Sequence, residues 1–168
     1  MRTSFTTAIV PPAPGRGPYV ESFDVADDLR ALRERLNEIF DLQRAGAVLA
    51  WDQRVTMPHG GGPARAEALA TVGRLSHEKF VDDEIGEILE RLRSVEESLE
   101  YESDDASLIR VTRRDWEKAR RVPAELRSEI IRAAALAHEV WVEARANDDF
   151  ASFLPALEKN LELKRRYV

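Results

Sequence analysis

Between Val25 and Ile39 the apolar residues Val25, Leu29, Leu32, Leu36 and Ile39 recur at steps of 4, 3, 4 and 3, with polar residues between them. That period places all five on one helix face, so the spacing predicts a helix over 24–51. Asp24 suits its N-cap, and Asp27 and Asp28 suit the electropositive first turn. Pro58 disfavours helix at Met57, and the glycines at 60–62 complete the break.

The same reading continues down the chain. Pro63 opens a second helix, 63–80, with Ala66, Leu69, Val72 or Gly73, Ser76 and Phe80 turned inward. Its small residues at 66, 70 and 73 let another helix approach closely. Asp82 and Asp83 cap a third helix, 83–99, with the stripe Ile85, Ile88, Leu92, Val95 and Leu99. The stretch 102–105 (ESDD) turns into a fourth, 105–121, with Leu108, Val111, Thr112, Trp116 and Ala119 inward. Pro123 restarts the chain as a fifth, 123–147, carrying Leu126, Ile130, Ala133, Ala137, Trp141 and Ala144. A sixth begins at Phe150 and presents Phe153, Leu157 and Leu161. No run alternates with the period of a strand. The expected fold is all-α, about six helices in antiparallel hairpins. Residues 1–20 read as a flexible Pro/Gly-rich leader and 21–168 as a helical domain. The pattern of the sixth helix is still running at Val168, so the expectation is a domain incomplete at its C-terminus.

Composition narrows the chemistry. Hydrophobic residues make up 43% and charged residues 33% of 168, enough for one sizeable core. There are no cysteines, which excludes disulfides, thiolate metal sites and cysteine nucleophiles. The net charge of −6 comes from interleaved acids and bases, which confers solubility but is not the footprint of a polyanion-binding protein. No apolar run reaches the length of a membrane span. Prolines at 11, 12, 14 and 18 interrupt the N-terminal apolar patch, against a signal peptide. The expected location is cytoplasmic, without membrane or nucleic-acid partners.

Candidate motifs fall short one by one. His77-Glu78 and His138-Glu139 begin H-E-x-x-H, but the fifth positions are Val81 and Val142, so each lacks the second imidazole that shares a helix face. Convergence of His59, His77 and His138 from separate helices would be needed to replace it. Asp52, Arg54 and Thr56 have the letters of a carboxylate-binding trio, but a hydrogen-bonded helix end accounts for them. The glycine triplet lacks phosphate-loop spacing. The basic run Arg110, Arg113, Arg114, Lys118, Arg120 and Arg121 is diluted by Asp115 and Glu117, as on a solvated face. Trp51, Trp116 and Trp141 read as core anchors. These residues assign no catalytic, cofactor-binding or metal-binding position.

Larger blocks carry a resemblance. Residues 49–90, LAWDQRVTMPHGGGPARAEALATVGRLSHEKFVDDEIGEILE, resemble the N-terminal part of the M32 family, the Taq-type thermostable metallocarboxypeptidases. The shared pattern is W-D-Q, M-P, a small-residue loop, R-A-E and a leucine-rich helix ending in L-x-H-E. WEKARRVPAELRSEI and the W-x-x-A-R-x-x-x-D-F-x-x-F-x-P-x-L-E spacing of 141–158 agree with later family segments, so the likeness spans 29–167.

The resemblance implies a helical zincin-like fold and a metal-dependent exopeptidase removing C-terminal residues, commonly a homodimer. Zinc or cobalt would be held by an H-E-x-x-H that lies beyond the matched region, as does the family's own D-x-R-x-T. The chain is therefore expected to be the N-terminal helical segment, a wall or lid of the substrate groove that is inactive alone. Its Trp51 would anchor the first joint, and its partner would be the remainder of the peptidase. The alternative is a stand-alone, non-enzymatic helical interaction module. RNA binding through the basic helix is a third reading, opposed by the acidic charge. A segment parted from its partner should expose an apolar patch or self-associate through the fifth and sixth helices.

Overall fold

The computed structural model describes residues 22–58 and 60–167, so the leader and His59 lie outside the described residues. Described residues form helices and their connections, without strands. The helices are α1 (Ser22–Val55), α2 (Gly62–Phe80), α3 (Asp83–Arg91), α4 (Arg93–Ser98), α5 (Asp104–Ala119), α6 (Ala124–Ala146) and α7 (Phe150–Tyr167). The all-α expectation holds. The predicted third helix divides at Leu92, where the backbone relaxes to φ −79°, ψ −1° while the side chain stays fully buried. α1 begins at Ser22 and runs on to Val55, so Asp24 lies within the helix rather than capping it.

The long helices pack in succession, α1 on α2, α2 on α6 and α6 on α7. α1 and α7 thus form the two ends of a row, while α3, α4 and α5 gather at the first half of α1. The main core lies there. Leu29, Leu32, Leu36 and Ile39 meet Ile85, Ile88, Leu89, Leu92 and Ile109, all nearly or wholly buried. Each such side chain contributes about 1.5–3 kcal/mol by leaving water. A smaller core of Val122, Leu126 and Leu163 joins α7 to α6.

Helix starts follow local chemistry. The Asp82 carboxylate accepts from the Glu84 amide at 2.9 Å and caps α3. Ser103 caps α5 by accepting from the Ala106 amide. Asp28 is buried under Arg91, whose Nη2 donates to it at 2.7 Å and whose Nε adds two bonds of 3.0 Å. That fork satisfies a carboxylate which would otherwise be costly to bury.

The small-residue face of α2 behaves as its spacing predicts. Ala66 and Ala70 are 1% exposed, and a Cβ at Gly73 would strike Ile131 of α6. Three expectations are corrected. α5 turns Ala106, Ile109 and Thr112 inward and leaves Val111 44% exposed. α7 buries Leu163, while Phe150 and Leu161 face outward. Trp51 and Trp141 are not core anchors, being 59% and 45% exposed. The reason is common to all three. Periodicity defines a stripe, but the neighbour that covers it is set by tertiary packing. Trp116 does pack at the main core, and its indole N–H donates to the Asp82 carbonyl at 3.3 Å. No helix among the described residues is long and apolar enough to cross a membrane.

Candidate functional site

The polar side chains of the α1–α2 joint meet one another. α1 ends as the Asp52 carbonyl accepts both the Thr56 amide at 3.0 Å and the Met57 amide at 2.9 Å. The Thr56 hydroxyl donates to the Asp52 carboxylate. Gly60 then takes φ +90°, a conformation open to glycine at little steric cost, and the Gly61 amide closes the turn on Pro58 at 3.0 Å. Arg65, one turn into α2, reaches back across the joint. One guanidinium nitrogen donates to the Leu49 carbonyl and another to Asp52. Gln53 donates to the Ala135 carbonyl at 3.0 Å and ties the same joint to α6. Glu67 receives Arg132 of α6, the second bond at 2.9 Å. Gly62 lets the Glu139 side chain lie against the start of α2, where a Cβ would collide with it.

The electrostatics follow from these contacts. The Thr56 hydroxyl, and then the Arg65 guanidinium, hold the Asp52 carboxyl below its usual range. The Arg132 hydrogen bond does the same for Glu67. Both acids are fixed as carboxylates engaged by cations.

Among the described residues, the candidate ligands His77 and His138 each have another partner. The His77 Nε2 donates to the Val122 carbonyl at 2.8 Å, which joins α2 to the chain entering α6. The His138 ring stacks on Trp141 at 5.9 Å. No group of three or more His, Asp or Glu among the described residues could hold a metal ion. The donor set therefore does not fit the catalytic zinc that the resemblance implies elsewhere in the family, and no chemical step is routed through one here. Arg54 is exposed and takes no part in the Asp52–Thr56 contact, so the trio is a helix end. A cleft of about 340 Å³ between α1, α2 and α6 includes Ser76, His77, Arg127 and Tyr167 but no carboxylate. It thus offers no carboxylate to pair with His77.

The basic run of α5 is largely engaged. Arg110 lies 3.9 Å over the Tyr101 ring, and Arg113 meets Glu96 at 3.4 Å. Arg114 meets Asp115 at 2.9 Å. Arg120 reaches Asp83 at 3.5 Å and covers Trp116. This is a solvated, salt-bridged face, as the interleaved acids indicate.

Sequence reasoning assigned the joint to Trp51, but its clamps are Arg65 and Gln53. The signal was present in the R-A-E block, whose arginine falls one helical turn past the glycines and so within reach of the preceding helix end.

Comparison with known proteins accounts for these blocks. Residues 31–168 match the family described as Carboxypeptidase Taq (M32) metallopeptidase. Over 128 residues the chain is 38% identical to Thermostable carboxypeptidase 1 of Thermus thermophilus, covering 76% of this chain and 25% of that protein. It is 32% identical over 140 residues to Thermostable carboxypeptidase 1 of Pyrococcus furiosus, covering 83% and 28%. The solved structure of Pyrococcus furiosus carboxypeptidase superposes with a TM-score of 0.60 at 30% identity, over 88% of this chain and 28% of that one. A structure described as BsuCP shares the fold, with a TM-score of 0.78 at 23% identity over 84% of this chain and 28% of that one. The chain thus spans about a quarter of the length of the curated relatives it matches.

Proposed function

The chain belongs to the carboxypeptidase Taq (M32) metallopeptidase family, and we propose on that premise that its helices are the N-terminal helical segment of a metal-dependent carboxypeptidase. In the whole enzyme they form a wall or lid of the groove in which a peptide is held for removal of its C-terminal residue. The zinc or cobalt ion, and the H-E-x-x-H that grips it, belong to the rest of the enzyme. This segment excludes bulk water from the groove and limits entry to chain ends. The remainder of the peptidase is its partner, in a cytoplasmic setting.

One observation carries the reading. The polar residues of the family blocks are consumed by architecture: Asp52 and Gln53 of W-D-Q, and Arg65 and Glu67 of R-A-E, bind one another, Leu49, Arg132 and Ala135. Motifs spent in this way serve a scaffold. The outer stripe of α1, with Phe40, Val48, Trp51 and Val55 all 47% exposed or more, is the side left for the remainder to cover.

Two measurements test the proposal. The purified chain should hold no stoichiometric zinc or cobalt and release no residue from peptides. A chimera in which it replaces the corresponding quarter of the Thermus thermophilus relative should bind metal and release C-terminal residues. Peptidase activity with stoichiometric metal in the isolated chain would refute the reading. So would a folded, metal-loaded but inactive chimera.

A further inference from the structure

One face of α2 looks into the cleft that α1 and α6 flank. Leu69, Val72, Gly73, Ser76 and Phe80 recur at steps of 3, 1, 3 and 4, so a single stripe of the helix carries all five. The space of about 340 Å³ falls among sites for small molecules, which span about 300–1,000 Å³. Leu42 of α1 and Ile131 of α6 face the same space, and with Leu69, Val72 and Phe80 they are half-buried. Three packed helices thus leave a connected apolar wall partly uncovered. Gly46 keeps the α1 side open, since a Cβ there would already touch Val72 at 3.6 Å.

The polar groups of this cleft lack partners. Ser76 is 7% exposed, and its hydroxyl makes no hydrogen bond among the described residues. Buried polar side chains are ordinarily hydrogen-bonded. Every fully enclosed side-chain polar atom among the described residues has a partner, so the Ser76 hydroxyl opens onto the cleft that it lines. Gln43 of α1 and Arg127, in the first turn of α6, line it too, and neither has a hydrogen bond or ion pair among the described residues. His77 is already engaged by the Val122 carbonyl. No acidic side chain lines the cleft, so Arg127 makes it electropositive.

This combination selects a ligand class. A guanidinium fork matches a carboxylate in both geometry and charge. The hydroxyl of Ser76 supplies a further donor, and the apolar wall suits a hydrocarbon tail. With no acid present, an ammonium group finds no counterion, which excludes free amino acids. We propose that the cleft binds a medium-chain monocarboxylate, its carboxylate on Arg127 and Ser76 and its tail against Leu69, Val72, Phe80 and Ile131. The site is built by this chain alone, so the inference is independent of the enzyme-segment reading, and the failure of either leaves the other standing.

The test is titration of the isotope-labelled 168-residue chain with sodium octanoate, followed by amide NMR shifts. Amides of residues 69–80 should shift saturably, with a Kd on the order of 0.1–1 mM for a ligand of this size in a formed apolar site. Octanamide, which keeps the tail and loses the charge, should bind about tenfold more weakly. Octylamine and leucine should not bind. Arg127→Gln, at an exposed position, should keep its helix content by circular dichroism and weaken octanoate about tenfold. Gly46→Leu should fill the cleft and abolish binding, and if that variant does not fold, Arg127→Gln still decides. No saturation by about 10 mM would overturn the proposal, because a formed cleft gives such a ligand more than that. Equal affinity for octanamide, or an unchanged affinity in Arg127→Gln, would overturn it as well. So would shifts confined to residues 150–161, which would mark adhesion to the exposed stripe of α7.

Discussion

Arg65 holds the carboxylate of Asp52 across thirteen residues of chain and so ties the start of α2 to the end of α1. The guanidinium is largely sheltered, with 18% of its side chain exposed, and it also donates to the Leu49 carbonyl, nearly one turn before Asp52. Asp52→Asn should therefore lower the melting temperature at neutral pH by several degrees. The pH dependence has a definite sign. The folded Asp52 carboxyl titrates below its unfolded value, so its contribution is complete above about pH 4 and fades as pH falls through the lower folded value. The gap between wild type and Asp52→Asn, followed by thermal melts, should close in acid. A gap that stays constant from pH 7 to about pH 3 would show that charge is not what Asp52 contributes.

The joint also shows how far the sequence is legible. Pro58, the glycines and Pro63 mark the break between helices without ambiguity, because each acts on its own backbone. The stripe from Leu29 to Ile39 is equally plain, and all four of its residues from Leu29 onward are buried. Trp51 was misread because a large aromatic at a helix end is ordinarily covered, and here it sits on the outer side of the end helix. On α7 the 3.6-residue period admits two stripes, Leu163 on one side and Phe150 to Leu161 on another. Only the position of α6 decides which is buried. That neither His77-Glu78 nor His138-Glu139 completes H-E-x-x-H is legible without the structure, since Val81 and Val142 stand where second imidazoles would be required. The clamp of Gln53 was hidden because its partner, Ala135, lies on a helix far along the chain, whereas Arg65 stands within reach of the preceding helix end.

Gly73 lets Ile131 of α6 lie where a Cβ on α2 would stand. Gly73→Ala gains up to about 1 kcal/mol of helix propensity, but it forces the Ile131 δ-methyl aside at an overpacking cost of about 1–3 kcal/mol. The single variant should lose about 1 kcal/mol in urea melts. Adding Ile131→Val removes the offending methyl, so the double variant should be more stable than Gly73→Ala alone. Additive losses would mean that the two residues do not compete for the same space.

Tryptophan emission should report the uncovered edges directly. Trp51 and Trp141 are open to solvent, whereas Trp116 is packed at the main core beneath Arg120. Acrylamide should quench the larger part of the emission, and Trp51→Phe with Trp141→Phe should leave a protected remainder. If all three tryptophans resist quenching in the isolated chain at low concentration, the outer stripes of α1 and α6 are covered in a way the packing does not provide.

The two cores should fail differently. Leu32 is fully buried where α1 meets α3 and α5, so Leu32→Ala should cost about 2–5 kcal/mol and lower the whole transition. Leu163 is just as buried, but its core is smaller, with Val122 and Leu126 buried and Ile130 and Ala133 partly covered beside it, and it joins α7 to α6. Losing that side chain should detach α7 before the rest unfolds. Sub-global opening of this kind is visible in amide exchange as a unit that opens alone. In Leu163→Ala, the amides of Phe150–Tyr167 should exchange faster while those of α1 and α3 keep wild-type protection. Ion pairs of Lys159 and Arg166 with Glu129 of α6 remain, at 3.0 and 3.1 Å, but as exposed contacts they are too weak to hold the helix alone. Uniform acceleration across every helix would instead show that the small core is part of the same cooperative unit as the large one.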